Sequence, residues 1–101
     1  MCSNFRTKIK EMTNKNLQNR VLLQQKLAEV IKNKRIEQKK SISLISAEVG
    51  MTKSMWADME KGIKDPQFST LFRMAEGLNV PIGVLLDETI KKLPDNFSLI
   101  D

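Results

Sequence analysis

GMTKSMWADMEKG, residues 50–62, places the only tryptophan of the chain in a short polar segment bounded by two glycines. Trp56 stands among Lys53, Ser54, Asp58, Glu60 and Lys61. Such a segment is either a loop displaying an aromatic contact residue or a short helix that buries it. The flanks favour a helix. Thr52 can accept the backbone amide of a residue three positions on, the arrangement of an N-cap. Gly62 tolerates the left-handed conformation in which helices commonly stop. Over Lys53–Lys61, Met55 or Trp56 and Met59 share one face, which leaves the other to polar side chains.

Upstream, Ser41 is a good N-cap for an earlier helix, and Ile42, Ile45, Ser46 and Val49 follow at i, i+3, i+4 and i+7. Gly50 ends that helix. Two short helices joined through a glycine make a helix-turn-helix. The turn needs a positive φ, which glycine adopts without steric cost. The first helix needs a small residue where the second crosses it, and Ser46 lies four positions before Gly50. The second helix needs a large apolar anchor, and Trp56 lies six positions after Gly50. Trp56 is therefore expected to be buried, with its indole N–H finding a partner at the rim.

The pattern extends on both sides. Residues 16–39 contain neither Gly nor Pro, and Leu17, Val21, Leu27 or Ala28, and Ile31 recur at helical spacing. Residues 1–15 are rich in Lys, Asn and Thr, with Phe5, Ile9 and Met12 three to four apart. They read as a short amphipathic helix or as a basic arm. Pro66 interrupts the chain after the motif. A fourth helix is expected from Phe68 to about Leu78, with Phe68, Leu71, Met74 or Ala75, and Leu78 inward, closed by Asn79. Pro81 suits the first turn of a fifth helix reaching about Lys92. No segment alternates with period two. The expected fold is all-α: an N-terminal extension at 1–16, a five-helix domain at 17–92 with its motif at 41–62, and a short tail at 93–101.

Composition narrows the chemistry. At 101 residues the chain suits one small domain. The net charge is +5, and residues 1–40 carry eleven Lys/Arg against three Asp/Glu, whereas residues 41–101 carry six against nine. A basic surplus favours polyanions. There is no histidine and one cysteine, Cys2, so an internal disulfide, a Cys/His metal site and a His-based triad are excluded by counting. No cofactor, metal or enzymatic activity is expected. Met51, Met55, Met59 and Met74 read as core filler. No apolar run reaches the roughly 18 residues of a membrane span, and MCSNFRTKIK lacks the apolar stretch of a secretory signal. A cytoplasmic protein is the expectation.

The stretch from Leu27 to Leu86 resembles the lambda-repressor/Cro (XRE-type) helix-turn-helix family. Ile31 and Arg35 carry the likeness in the first helix, with SISLISAEVGMTKSMWADMEKG (41–62) and DPQFSTLFRMAEGLNVPIGVLL (65–86). Gly50, Thr52, Glu60, Gly62, Pro66 and Leu71 concur within it. The resemblance implies that the residues opening the third helix face the major groove of double-stranded DNA: Thr52, Lys53, Ser54, Met55 at the edge, and Asp58 one turn on. Lys53 would donate to guanine, Ser54 to several bases, and Asp58 would accept from cytosine. It also implies phosphate contacts at Ser41, Ile42, Lys61, Lys64 and Gln67, with Ser69 close by. Arg35 and Glu60 resemble a family pair tying the first helix to the end of the third, a semi-buried ion pair with a structural role. Without the resemblance, Lys53 and Ser54 read as solvated first-turn residues and Asp58 as a solvated carboxylate.

The chain also departs from the family. Ile42 stands where Gln is common, Ser46 where Ala is usual, and Lys34 and Lys40 where apolar residues are usual. Trp56 is bulkier than the usual Ile or Val. The functional expectation is a sequence-specific transcriptional regulator, a repressor, acting as a homodimer on a two-fold-symmetric operator. The candidate dimer surface is the fifth helix with the tail (Leu85, Leu86, Ile90, Leu93, Phe97, Ile100), or else the long first helix with Leu22 and Leu23. The alternative is the antitoxin of a toxin–antitoxin pair, whose terminal extensions wrap a protein partner, the toxin. Ile42 and Asp58 motivate a third reading, an adaptor without DNA binding.

Overall fold

The computed structural model describes the backbone of residues 2–100 and the side chains of residues 16–100. Among these residues there are five helices and no strand: α1 (Cys2–Glu37), α2 (Ile42–Glu48), α3 (Lys53–Lys61), α4 (Phe68–Gly77) and α5 (Ile82–Lys91). The expected all-α, five-helix architecture is what forms. α1 packs on α3 and α5, α2 on α3 and α4, and α4 on α5.

α1 is a single helix of 36 residues. With no Gly or Pro before residue 38, nothing in the sequence stops it. It runs through residue 16 without a break, so that expected boundary has no mark in the backbone. Among its described side chains, Leu27, Ala28, Val30 and Ile31 of its later part are buried in the core. Leu17 and Val21, expected on the inward stripe, are exposed. At about 1.5 Å per residue α1 is far longer than the 9- and 10-residue helices packed on it, so the stripe continues where no neighbour covers it.

The motif is closed by the residues its sequence nominates. Ser41 Oγ accepts the Leu44 amide at 3.1 Å, and Thr52 Oγ1 accepts the Met55 amide at 3.1 Å. Gly50 and Gly62 take φ of +69° and +73°, and Asn79 takes +57° after α4. Gly62 also permits a close approach: a Cβ there would sit 3.1 Å from Gln25 Cα on α1. At Gly77 a Cβ would lie 2.5 Å from Val49 Cγ1, so α4 reaches the end of α2 only because this position lacks a side chain.

Ile31, Ile45, Trp56, Met74, Leu78 and Leu85 are fully buried and come from all five helices or the residue just after α4. Two further expectations are corrected. Phe68 is 68% exposed rather than inward, because α4 buries the stripe Leu71, Met74, Ala75 and Leu78, and Phe68 and Phe72 line up on its flank. Leu85 is wholly buried in this core and is not part of any outer surface. Among the described residues no helix is long and apolar enough to cross a membrane.

Candidate nucleic-acid interface

α3 has two faces. On the inner one, Trp56 is completely buried with Met59 beside it. The indole N–H donates to Glu60 Oε2 at 2.6 Å, one helical turn on. The same carboxylate accepts two guanidinium N–H groups from α1: Arg35 Nε at 2.6 Å on Oε2 and Arg35 Nη2 at 2.9 Å on Oε1. Arg35 Nη1 then donates to the Lys40 carbonyl at 2.9 Å, in the turn leading to α2. The Arg35 and Glu60 side chains are 13% and 6% exposed, so this fork is nearly dry. Hydrogen bonding to Glu60 raises the Arg35 pKa above its ordinary value, outweighing the opposing effect of burial.

This network explains the tryptophan. A buried indole strands its N–H unless an acceptor follows it into the core. Glu60 is that acceptor, and Arg35 supplies the charge that makes its burial tolerable. The consequence is positional: α3 is held along one side by an apolar anchor and at its end by a two-pronged ion pair from α1. Pairs of this geometry fix orientation as well as adding energy.

On the outer face Thr52, Lys53, Ser54 and Met55 are exposed in the first turn, and Asp58 is half-buried one turn later. The Thr52 oxygen accepts the Met55 amide, which leaves its hydroxyl hydrogen free to donate outward. Lys61, Lys64, Gln67 and Ser69 are also exposed. Among the described residues Lys53, Lys61 and Lys64 enter no ion pair. A cleft of about 300 Å³ is lined by Ser54, Met55 and Asp58 of α3 and by Lys64 and Gln67 of the following loop. Of the expected contact residues, these five are brought together in one cleft, which Thr52, Lys53, Lys61 and Ser69 do not line. Thr70 lines the same cleft. Sequence reasoning passed over it, although it lies one turn beyond Gln67. Ser41 is exposed and Ile42 half-buried at the head of α2. Ile42 also packs against the core, so its side chain supports α2 from within.

The departures at Lys34 and Lys40 have local partners. Lys34 Nζ lies 2.9 Å from Glu88 on α5, and Lys40 Nζ lies 3.1 Å from Glu48 and 3.3 Å from the Gly77 carbonyl. Each lysine lays its stem along the domain and spends its charge on a neighbouring helix. Ser46, 2% exposed, donates its hydroxyl to the Ser43 carbonyl at 3.2 Å, which keeps the buried oxygen satisfied. Among the described residues no group of His, Cys, Asp or Glu is placed to hold a metal ion.

Comparison with known proteins agrees with this geometry. The helix-turn-helix family HTH_3 matches residues 31–85, more than half of the chain. No curated protein matches. Among solved structures, the chain is similar to the clp gene regulator ClgR from C. glutamicum, with a TM-score of 0.68 and 14% identity, over 73% of this chain and 96% of that one. It is also similar to an HTH_3 family transcriptional regulator from Vibrio cholerae, with a TM-score of 0.65 and 23% identity. That match covers 77% of this chain and 47% of the Vibrio chain. At these identities the likeness is one of fold.

Proposed function

The chain belongs to the helix-turn-helix family HTH_3, and on that footing we propose that it is a transcriptional regulator that reads double-stranded DNA in the major groove with α3. The observation that carries this reading is the contrast across α3: Trp56 fully buried on one side, and the first turn free of ion pairs and exposed on the other. Lys53, Ser54 and Thr52 donate to base edges, Met55 meets a thymine methyl, and Asp58 accepts from cytosine. Lys61, Lys64, Gln67 and Ser69, with Ser41 and Ile42 at the head of α2, hold phosphates.

One α3 spans too few base pairs to select a site in a genome, so the regulator works as a homodimer on a two-fold-symmetric operator, and by occupying it acts as a repressor. Selection of duplexes from a random pool by the full chain tests this. The expected outcome is an inverted repeat whose half-sites lie about one helical turn, 10–10.5 base pairs, apart. A pool that stays random after selection contradicts it. The antitoxin reading is favoured by one observation: residues 2–30 and 86–100 lie outside the matched segment, yet include most of α1 and a tail that docks on it. Its test is copurification of a small partner protein by the full chain and not by a variant lacking the tail.

A further inference from the structure

After α5 the chain folds back on α1. Asn16 Nδ2 donates to the Leu99 carbonyl at 2.6 Å, and Asn19 Nδ2 donates to the Ser98 carbonyl at 2.7 Å. Both bonds go to backbone oxygens, so the asparagines grip an extended segment without choosing its side chains. Specificity comes from where apolar side chains land, as when an extended peptide docks on a folded surface. Phe97 lines a cleft with Leu23, Ile90 and Leu93. Leu99 lines a second cavity with Leu23, Leu27, Leu71 and Leu86.

The seat is loosely filled. A cleft of about 280 Å³, open to solvent, remains beside Leu99. Leu99 stays 39% exposed, Ile100 84% and Ile90 63%. The tail joins α5 through residues 92–96, which include Pro94, and the Phe97 amide closes a turn on the Pro94 carbonyl at 2.9 Å. Opening that one turn swings residues 97–100 away from their own α1, and little packing is lost when it opens.

We infer that the groove between α1 and α5 seats the tail of a second copy of this chain, the two copies exchanging residues 97–100 reciprocally. This rests on the homodimer reading above and names its surface. Exchange preserves every tail contact, because donor and acceptor are the same in both copies. It also draws the α5 faces of two copies to one two-fold seam, where Ile90 and Ile100 cover apolar surface that a single chain leaves in water. No other occupant matches the groove so directly, since the segment seated in it is the tail itself.

Sedimentation of the full chain across a concentration series gives its mass. An equimolar mixture of 13C-labelled and unlabelled chain then separates the two ways of seating the tail. Exchange predicts a dimer in which isotope-filtered NOEs join Leu99 methyls of labelled chains to Leu23 and Leu27 of unlabelled ones. It also predicts that a chain ending at Lys92 dimerises at least roughly tenfold more weakly, which corresponds to about 1.4 kcal/mol shared between the two half-exposed tails. A dimer whose Leu99–Leu23 NOEs all lie within one chain, or whose affinity survives the truncation, overturns the exchange and leaves the homodimer standing. A chain that stays monomeric at every concentration overturns both.

Discussion

Of the seams that α1 makes, the one with α3 and the one with the tail are built differently. Against α3 it offers a buried guanidinium whose donors meet two oxygens of one carboxylate, itself tied to a buried indole. Against the tail it offers two half-buried amide side chains whose hydrogen bonds are exposed, and leaves an open cleft beside Leu99. In the first seam no group can be changed without stranding another in low dielectric. In the second, each contact can be replaced by water or by an identical segment. A helix that must present Lys53 and Ser54 to base edges needs the first kind of seam, because misplacement by an ångström separates a hydrogen bond from none. A segment that only has to stay nearby can use the second.

The sharpest way to break this contrast is Trp56→Ala. It should cost about 3–5 kcal/mol in urea denaturation, the range for removing a large buried aromatic, with Trp56→Phe recovering part of it. Next comes Glu60→Ala, which leaves Arg35 charged and unpaired and the indole N–H without an acceptor. About 3 kcal/mol is expected by the same measurement. Gly77→Ala forces a methyl against Val49 and should cost about 1–3 kcal/mol, the range for overpacking. On the tail seam, Asn16→Ala with Asn19→Ala should together cost no more than about 1 kcal/mol, since exposed hydrogen bonds exchange readily with water. A loss as large as that of Glu60→Ala would erase the distinction between the seams.

The smallest effect expected is one of pH. Hydrogen bonding to Glu88 raises the Lys34 pKa above 10.5. A raised folded-state value means that the pairing contributes fully below 10.5 and is lost as pH rises through the folded value. The stability gap between wild type and Lys34→Met should therefore be flat from neutral pH to about 10.5 and narrow above it, with a size of at most about 1 kcal/mol.

The motif was the legible part of this chain because its constraints are local. Thr52, Gly50 and Gly62 act through their own backbone, and Trp56 and Glu60 sit one helical turn apart, whereas Arg35 lies 25 positions before Glu60 and only the family resemblance pairs the two. Periodicity identified stripes, but a stripe does not say where its cover ends. Leu17 and Val21 therefore sit in solvent although they continue the line of Leu27 and Ile31. Phe68 misled for a related reason, since residue type pointed inward while the helix phase set by Leu71 and Met74 did not. The tail clasp gave no signal at all. Asn16 and Asn19 meet carbonyls roughly 80 positions away, and no local rule pairs a side chain with a distant backbone oxygen.

In the proposed function the first turn of α3 reads sequence, while its inner face only holds it in place. Fluorescence anisotropy of a selected duplex, comparing wild type with Lys53→Ala plus Ser54→Ala across a salt series, tests it most directly. The variant is expected to keep its stability, to lose discrimination against mismatched duplex by about 1–3 kcal/mol for each base pair read, and to keep a nearly parallel salt dependence. Equal binding of both proteins to matched and mismatched duplex, fading together with salt, would show charge alone at work and would contradict it.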